Sequence, residues 1–142
     1  MNKLILTTVF AVVLAAAVQG QKEKAIAAYM KCSKENKVPA DDIATFKSGQ
    51  GLPKSKEAKC LMACMMKEGK IIDGGKYNKD NALKAVDVML KDNPDAGKAK
   101  QVVETCAKEV GTTVGSDECE YAYKMATCSE AQAKKLGIKR PM

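Results

Sequence analysis

The stretch Cys60-Leu61-Met62-Ala63-Cys64 decides the fold, because it lies in a run of helix formers from Ser55 to about Glu68 and sets two thiols four residues apart. On a helix that spacing places both sulfurs on one face, about one turn from each other. A disulfide wants its Cβ atoms about 3.5–4.5 Å apart, less than the roughly 5–6 Å between such helical neighbours. Each thiol therefore has to reach a different element.

Outward from this pair, cysteines stand at positions 32, 106, 119 and 128, so that 27, 3, 41, 12 and 8 residues separate the six in turn. An even count in a short exported chain reads as a disulfide framework. In Cys119-Glu120-Tyr121-Ala122-Tyr123-Lys124-Met125-Ala126-Thr127-Cys128 the two thiols are nine residues apart. At roughly 100° and 1.5 Å per residue they are about half a turn out of phase and about 13 Å apart along the axis. They must pin two neighbours on opposite flanks. Excluding the pairs 60–64 and 119–128 leaves ten of the fifteen pairings, and the residues do not choose among them.

Export is read from the N-terminus, where Lys3 precedes an apolar run from Leu4 to Val18 that ends at the small residue Gly20. The reading is a signal peptide over residues 1–20, cleaved after Gly20 or, as the alternative, after Ala17, and one domain over 21–142. A membrane span needs about 20 apolar residues, and nothing after Gln21 approaches that, so stable membrane insertion is not expected. Removing the signal takes Lys3 and no acid, lowering the net charge from +7 to +6. Nucleic acid is not an expected partner of an exported chain. The lysines alternate with acids, as in Lys22-Glu23-Lys24 and Lys54-Ser55-Lys56-Glu57, which reads as solvated helix faces.

Histidine and tryptophan are both absent. The first absence removes the commonest general base, zinc ligand and pH sensor together. Gly69-Lys70-Ile71-Ile72-Asp73-Gly74-Gly75-Lys76 has the wrong glycine spacing for a phosphate loop and Tyr77 where Ser or Thr would meet magnesium, so it reads as a turn. From Asp73, a calcium loop would need glycine at Asn78 and glutamate at Lys84. No nucleophile elbow surrounds Ser116. The expectation is no enzyme, no metal and no cofactor.

The remaining chain punctuates itself into helices. They are expected from Glu23 to about Ser33, from Pro39 and Asp41 through Phe46, and from Ser55 to Glu68. Asn78 or Asn81 caps the next, whose Ala82, Leu83, Val86, Met89 and Leu90 recur at three and four. Pro94 and Asp95 start another, with Ala99, Val102, Val103, Cys106 and Val110 in the same rhythm until Gly111 stops it. Asp117 and Glu120 form a capping box for the last. The fold class is all-α, a compact bundle of about six helices.

The cysteine spacing, the Cys60 to Cys64 and Cys119 to Cys128 segments, and Gly75-Lys76-Tyr77-Asn78 after the second pair together resemble the six-cysteine insect odorant-binding proteins of the pheromone- and general-odorant-binding kind. The resemblance runs from about Lys22 to Ser129. It implies the bridges Cys32–Cys64, Cys60–Cys119 and Cys106–Cys128, interlocked around an internal apolar cavity that carries odorants or pheromones through extracellular fluid such as sensillar lymph. It also implies a small hydrophobic volatile as ligand, contact with an olfactory receptor, and a monomer or weak homodimer. Met66, Ile71 and Tyr77 match positions that face ligand in such proteins.

Helical periodicity adds Val86, Met89, Val103 and Ala122 to this candidate set, and Met62 joins as part of the methionine cluster with Met65 and Met66, whose flexible thioethers can repack around different ligands. Tyr123, like Tyr77, offers a hydroxyl to a polar end of the ligand. Residues 129–142 are read as a tail and candidate lid, with Leu136, Ile138 and Met142 as its apolar contacts. Without histidine, acid release of ligand would use carboxylates such as Asp87 or the chain terminus. The alternative is a secreted, disulfide-braced interaction or defence protein that acts through its basic surface.

Overall fold

The computed structural model describes residues 23–49 and 51–138, so the export segment, Met142 and the terminal carboxylate lie outside the described residues. Six helices account for most of that span. They are α1 (residues 23–36), α2 (Ala40–Ser48), α3 (Lys56–Glu68), α4 (Lys79–Met89), α5 (Ala96–Val110) and α6 (Glu118–Lys135).

Local chemistry starts and stops these helices where polar side chains meet free backbone groups. Ser55 accepts from the Ala58 amide at 3.1 Å at the head of α3, and its hydroxyl donates to Asp42, which ties α2 to the start of α3. Asn78 caps α4 by accepting from the Asn81 amide at 3.0 Å, and Asp117 caps α6 through the Glu120 amide at 3.0 Å. The reciprocal half of the expected capping box is put to other use: the Glu120 carboxylate pairs with Lys59 Nζ of α3 at 2.9 Å. Gly111 ends α5 with φ 87°, a backbone region where a Cβ is costly.

Between α3 and α4 the turn expected from the glycines is a short hairpin. Strand β1 (Ile72–Asp73) pairs antiparallel with β2 (Lys76–Tyr77), turning through Gly74 and Gly75 at φ 58° and 76°. The α5–α6 connection lies along it: the Tyr77 amide donates to Thr112 at 2.8 Å and the Val114 amide to Gly75 at 3.0 Å. This pairing delivers Ile72, Tyr77 and Val114 into the core.

The core has two parts. Ile72, Tyr77, Ala82, Val102, Cys106, Ala107, Val114, Tyr121 and Met125 form the larger, where α4, α5, α6 and the hairpin meet. Met62, Ala63 and Ala122 form the smaller, in the seam between α3 and α6, with Phe46 of α2 against it. Helix α6 packs on both α3 and α5, and α4 leans on α5.

Three disulfides cross this arrangement. Cys32–Cys64 joins α1 to α3, Cys60–Cys119 joins α3 to α6, and Cys106–Cys128 joins α5 to α6, with Cα separations of 5.7, 4.4 and 5.8 Å. The pairing is the interlocked one implied by the resemblance, and no described cysteine is free. Cys60 and Cys64 do reach different helices, and Cys119 and Cys128 pin opposite neighbours of α6. Each bridge contributes about 2–4 kcal/mol by restricting the unfolded chain. Among the described residues seven lysines form ion pairs with acids.

Candidate functional site

A cleft of about 760 Å³ opens between α1, the C-terminal end of α3 and α4. Its apolar wall is built from Ala25 and Ala28 of α1, Met65 of α3, and Ala85, Val88 and Met89 of α4. Ala25 and Ala28 are three residues apart, as are Ala85 and Val88, so each helix turns one short stripe toward the space. Val88 is 39% and Met89 56% exposed, unusually high for large apolar side chains and consistent with an open mouth. The volume falls in the range of about 300–1,000 Å³ typical of small-molecule sites.

Lys31 of α1 donates to Glu68 of α3 at 2.7 Å beside the cleft, linking the same two helices as the Cys32–Cys64 bridge. The Glu68 hydrogen bond, followed by its charge, holds the Lys31 ammonium above the usual lysine range. Lys24, Lys70 and Lys84 complete the polar lining with Asn81, whose side-chain amide donates to the Lys70 carbonyl at 2.9 Å.

The structure distributes the sequence candidates over three places. Met66, Ile71, Tyr77, Val103 and Ile138 gather on the larger core cluster, and Met66 also reaches the smaller one. Met62, Ala122 and Tyr123 lie in the α3–α6 seam, where Lys59 Nζ sits 4.5 Å from the Tyr123 ring centroid. Met89 lines the cleft, and Val86 is half-buried on α4 outside both clusters.

Two tyrosines, Tyr77 and Tyr121, meet in the larger core cluster. Tyr77 is buried with its ring centroid 6.4 Å from that of Tyr121, and burial, then the charge of Glu104, pushes its phenol up. Tyr121, not singled out in the sequence, donates to the Gly111 carbonyl at 2.6 Å, and burial with Tyr77 beside it pushes its phenol up to about 12. Asp87 pairs with Lys100 at 2.6 Å, tying α4 to α5.

Helix α6 continues past Cys128 to Lys135, so much of the segment read as a tail is helical, and Leu136 and Ile138 then pack on the larger core cluster. Sequence reasoning missed Ala25, Ala28, Ala85 and Val88. Alanine carries little weight in an apolar pattern, and only the placement of α1 and α4 around one cleft makes these side chains a wall. Among the described residues no group of three His, Cys, Asp or Glu side chains is placed to hold a metal, and no helix is long and apolar enough to cross a membrane.

Comparison with known proteins places this geometry. Residues 15–132 match the PBP/GOBP family. The chain is 36% identical over 109 residues to general odorant-binding protein 19d of Drosophila melanogaster, covering 76% of this chain and 71% of that protein. Its structure is similar to that of odorant-binding protein dmelOBP28a from Drosophila melanogaster, with a TM-score of 0.68 and 26% identity over 86% of this chain and 99% of that one. A likeness to the fatty acid binding protein OBP56a from the oral disk of the blowfly Phormia regina, at TM-score 0.60 and 16% identity, covers 82% of this chain and 94% of that one and bears on the fold alone.

Proposed function

This chain belongs to the PBP/GOBP family, and we propose that it is an exported carrier that holds small hydrophobic molecules, odorants or pheromones, in the α1–α3–α4 cleft and moves them through an extracellular fluid such as sensillar lymph. The family is one of odorant-binding carriers, not enzymes. The observation that carries the reading for this chain is the apolar cleft of about 760 Å³ between α4 and the pair α1 and α3, which the Cys32–Cys64 bridge ties together.

Burying about 250–350 Å² of a volatile's apolar surface at roughly 25 cal/mol per Å² supplies about 6–9 kcal/mol before ordering costs, which supports micromolar affinity. Met65 and Met89 can shift around ligands of different shape, because an unbranched thioether adapts at small cost. Three closed bridges suit an oxidising, extracellular setting.

Displacement of a neutral fluorescent apolar probe tests this function. Uptake of the probe, followed by its release on adding volatile alcohols, esters or aldehydes, is the expected result. A folded, oxidised protein that takes up neither probe nor volatile contradicts it.

A further inference from the structure

We propose that the cleft selects amphiphilic anions, single alkyl chains ending in a carboxylate, over neutral molecules of equal length. The inference rests on the carrier reading above and deepens it. Four lysines, Lys24, Lys31, Lys70 and Lys84, line the cleft against one carboxylate, Glu68. Lys31 is committed to Glu68, whereas Lys24, Lys70 and Lys84 make no ion pair among the described residues. These three cations come from three different elements: α1, the α3–α4 connection and α4.

Lys70 is held in place by its backbone. Its φ of 57° lies in the left-handed region, its amide donates to the Lys67 carbonyl at 3.0 Å, and its carbonyl accepts from Asn81 at 2.9 Å. A non-glycine residue adopts that conformation at some cost, so two hydrogen bonds fix where its ammonium originates. An apolar wall with a cationic lining matches a ligand that is greasy along its length and negative at one end. A neutral alcohol fills the same wall and leaves the lysines to water.

Binding of decanoate and 1-decanol, both below self-association and at about pH 7.5 where a carboxylate is ionised, tests the inference by calorimetry or probe displacement. Exposed charge pairs are each worth a few-fold at most, so three cations together should favour decanoate by about tenfold at low salt. Salt at about 0.5 M should remove most of that preference. The K24Q/K70Q/K84Q variant should bring decanoate close to parity with decanol by weakening decanoate far more than decanol, and an unaltered circular dichroism spectrum reports that the fold is intact. E68Q, which frees Lys31, should tighten decanoate by about two- to threefold relative to decanol. Equal binding of the two ligands by the unaltered protein overturns the inference and leaves the carrier function standing. Binding of neither overturns both, and a response only to vesicles containing an anionic phospholipid overturns both in favour of a membrane-surface role.

Discussion

The Tyr121 hydroxyl reaches from the second turn of α6 to the carbonyl of Gly111, the residue that ends α5, at 2.6 Å. It satisfies a carbonyl at a helix end where intrahelical partners run out. The same side chain fills the larger core cluster against Tyr77 and so couples the α5–α6 turn to the hairpin.

Tyr121→Phe keeps the ring and removes this bond. The expected cost is about 1–2 kcal/mol, that of a partly buried hydrogen bond whose acceptor is left without its partner. Urea unfolding followed by circular dichroism measures it. An unchanged midpoint contradicts the structural role given to the hydroxyl.

Stability should also fall in strong base. Burial favours the neutral phenol of Tyr121 and raises it from about 10 in the unfolded chain to about 12. That contribution is fully present below about pH 10 and is lost as pH rises from there through about 12. Tyr77, raised by burial, and Lys31 and Lys59, raised by the hydrogen bonds they donate to Glu68 and Glu120, add losses of the same sign. Thermal midpoints measured across this window should drop, and drop less steeply in Tyr121→Phe than in the unaltered protein.

The Cys32–Cys64 bridge ties one wall of the cleft to another. Replacing both cysteines by serine should lower stability by about 2–4 kcal/mol. It should also weaken apolar probe binding at temperatures where the protein remains folded, because α1 loses its covalent anchor. Probe affinity unaltered in the folded double variant would contradict the role given to α1.

Cleft and seam separate by substitution. Ala85→Trp should fill the cleft and weaken probe binding by tenfold or more, with stability within about 0.5 kcal/mol because the site is half-exposed. Met62→Ala removes packing against Ala63 and Ala122 and should cost about 2–4 kcal/mol, with little change in probe affinity for the folded fraction. Denaturation and fluorescence titration on both proteins give the comparison.

Much of this architecture was legible because it rests on residues whose chemistry is local. Ser55, Asn78 and Asp117 begin helices by accepting amides, Gly111 ends one, and the phases of Cys60 against Cys64 and of Cys119 against Cys128 forbid bonding within a helix. The hairpin was not legible beyond a turn, since two-residue strands offer no alternation to detect and their pairing with Thr112 and Val114 joins distant parts of the chain. The cleft was harder still. On α4 the expected stripe buries Ala82, while Lys84, Ala85 and Val88 line the open space with Met89, which the stripe included. Periodicity reports which side of a helix is apolar and says nothing of where neighbouring helices leave room.

A small hydrophobic molecule is proposed to occupy the space between α1, α3 and α4. Methyl-detected NMR of the oxidised protein with a saturating apolar ligand tests it most directly, through intermolecular contacts to assigned methyl groups. Contacts from the ligand to Ala28, Met65, Ala85 and Val88 are the predicted result. Contacts confined to Met62 and Ala122 in the α3–α6 seam, or none to any methyl, would contradict it.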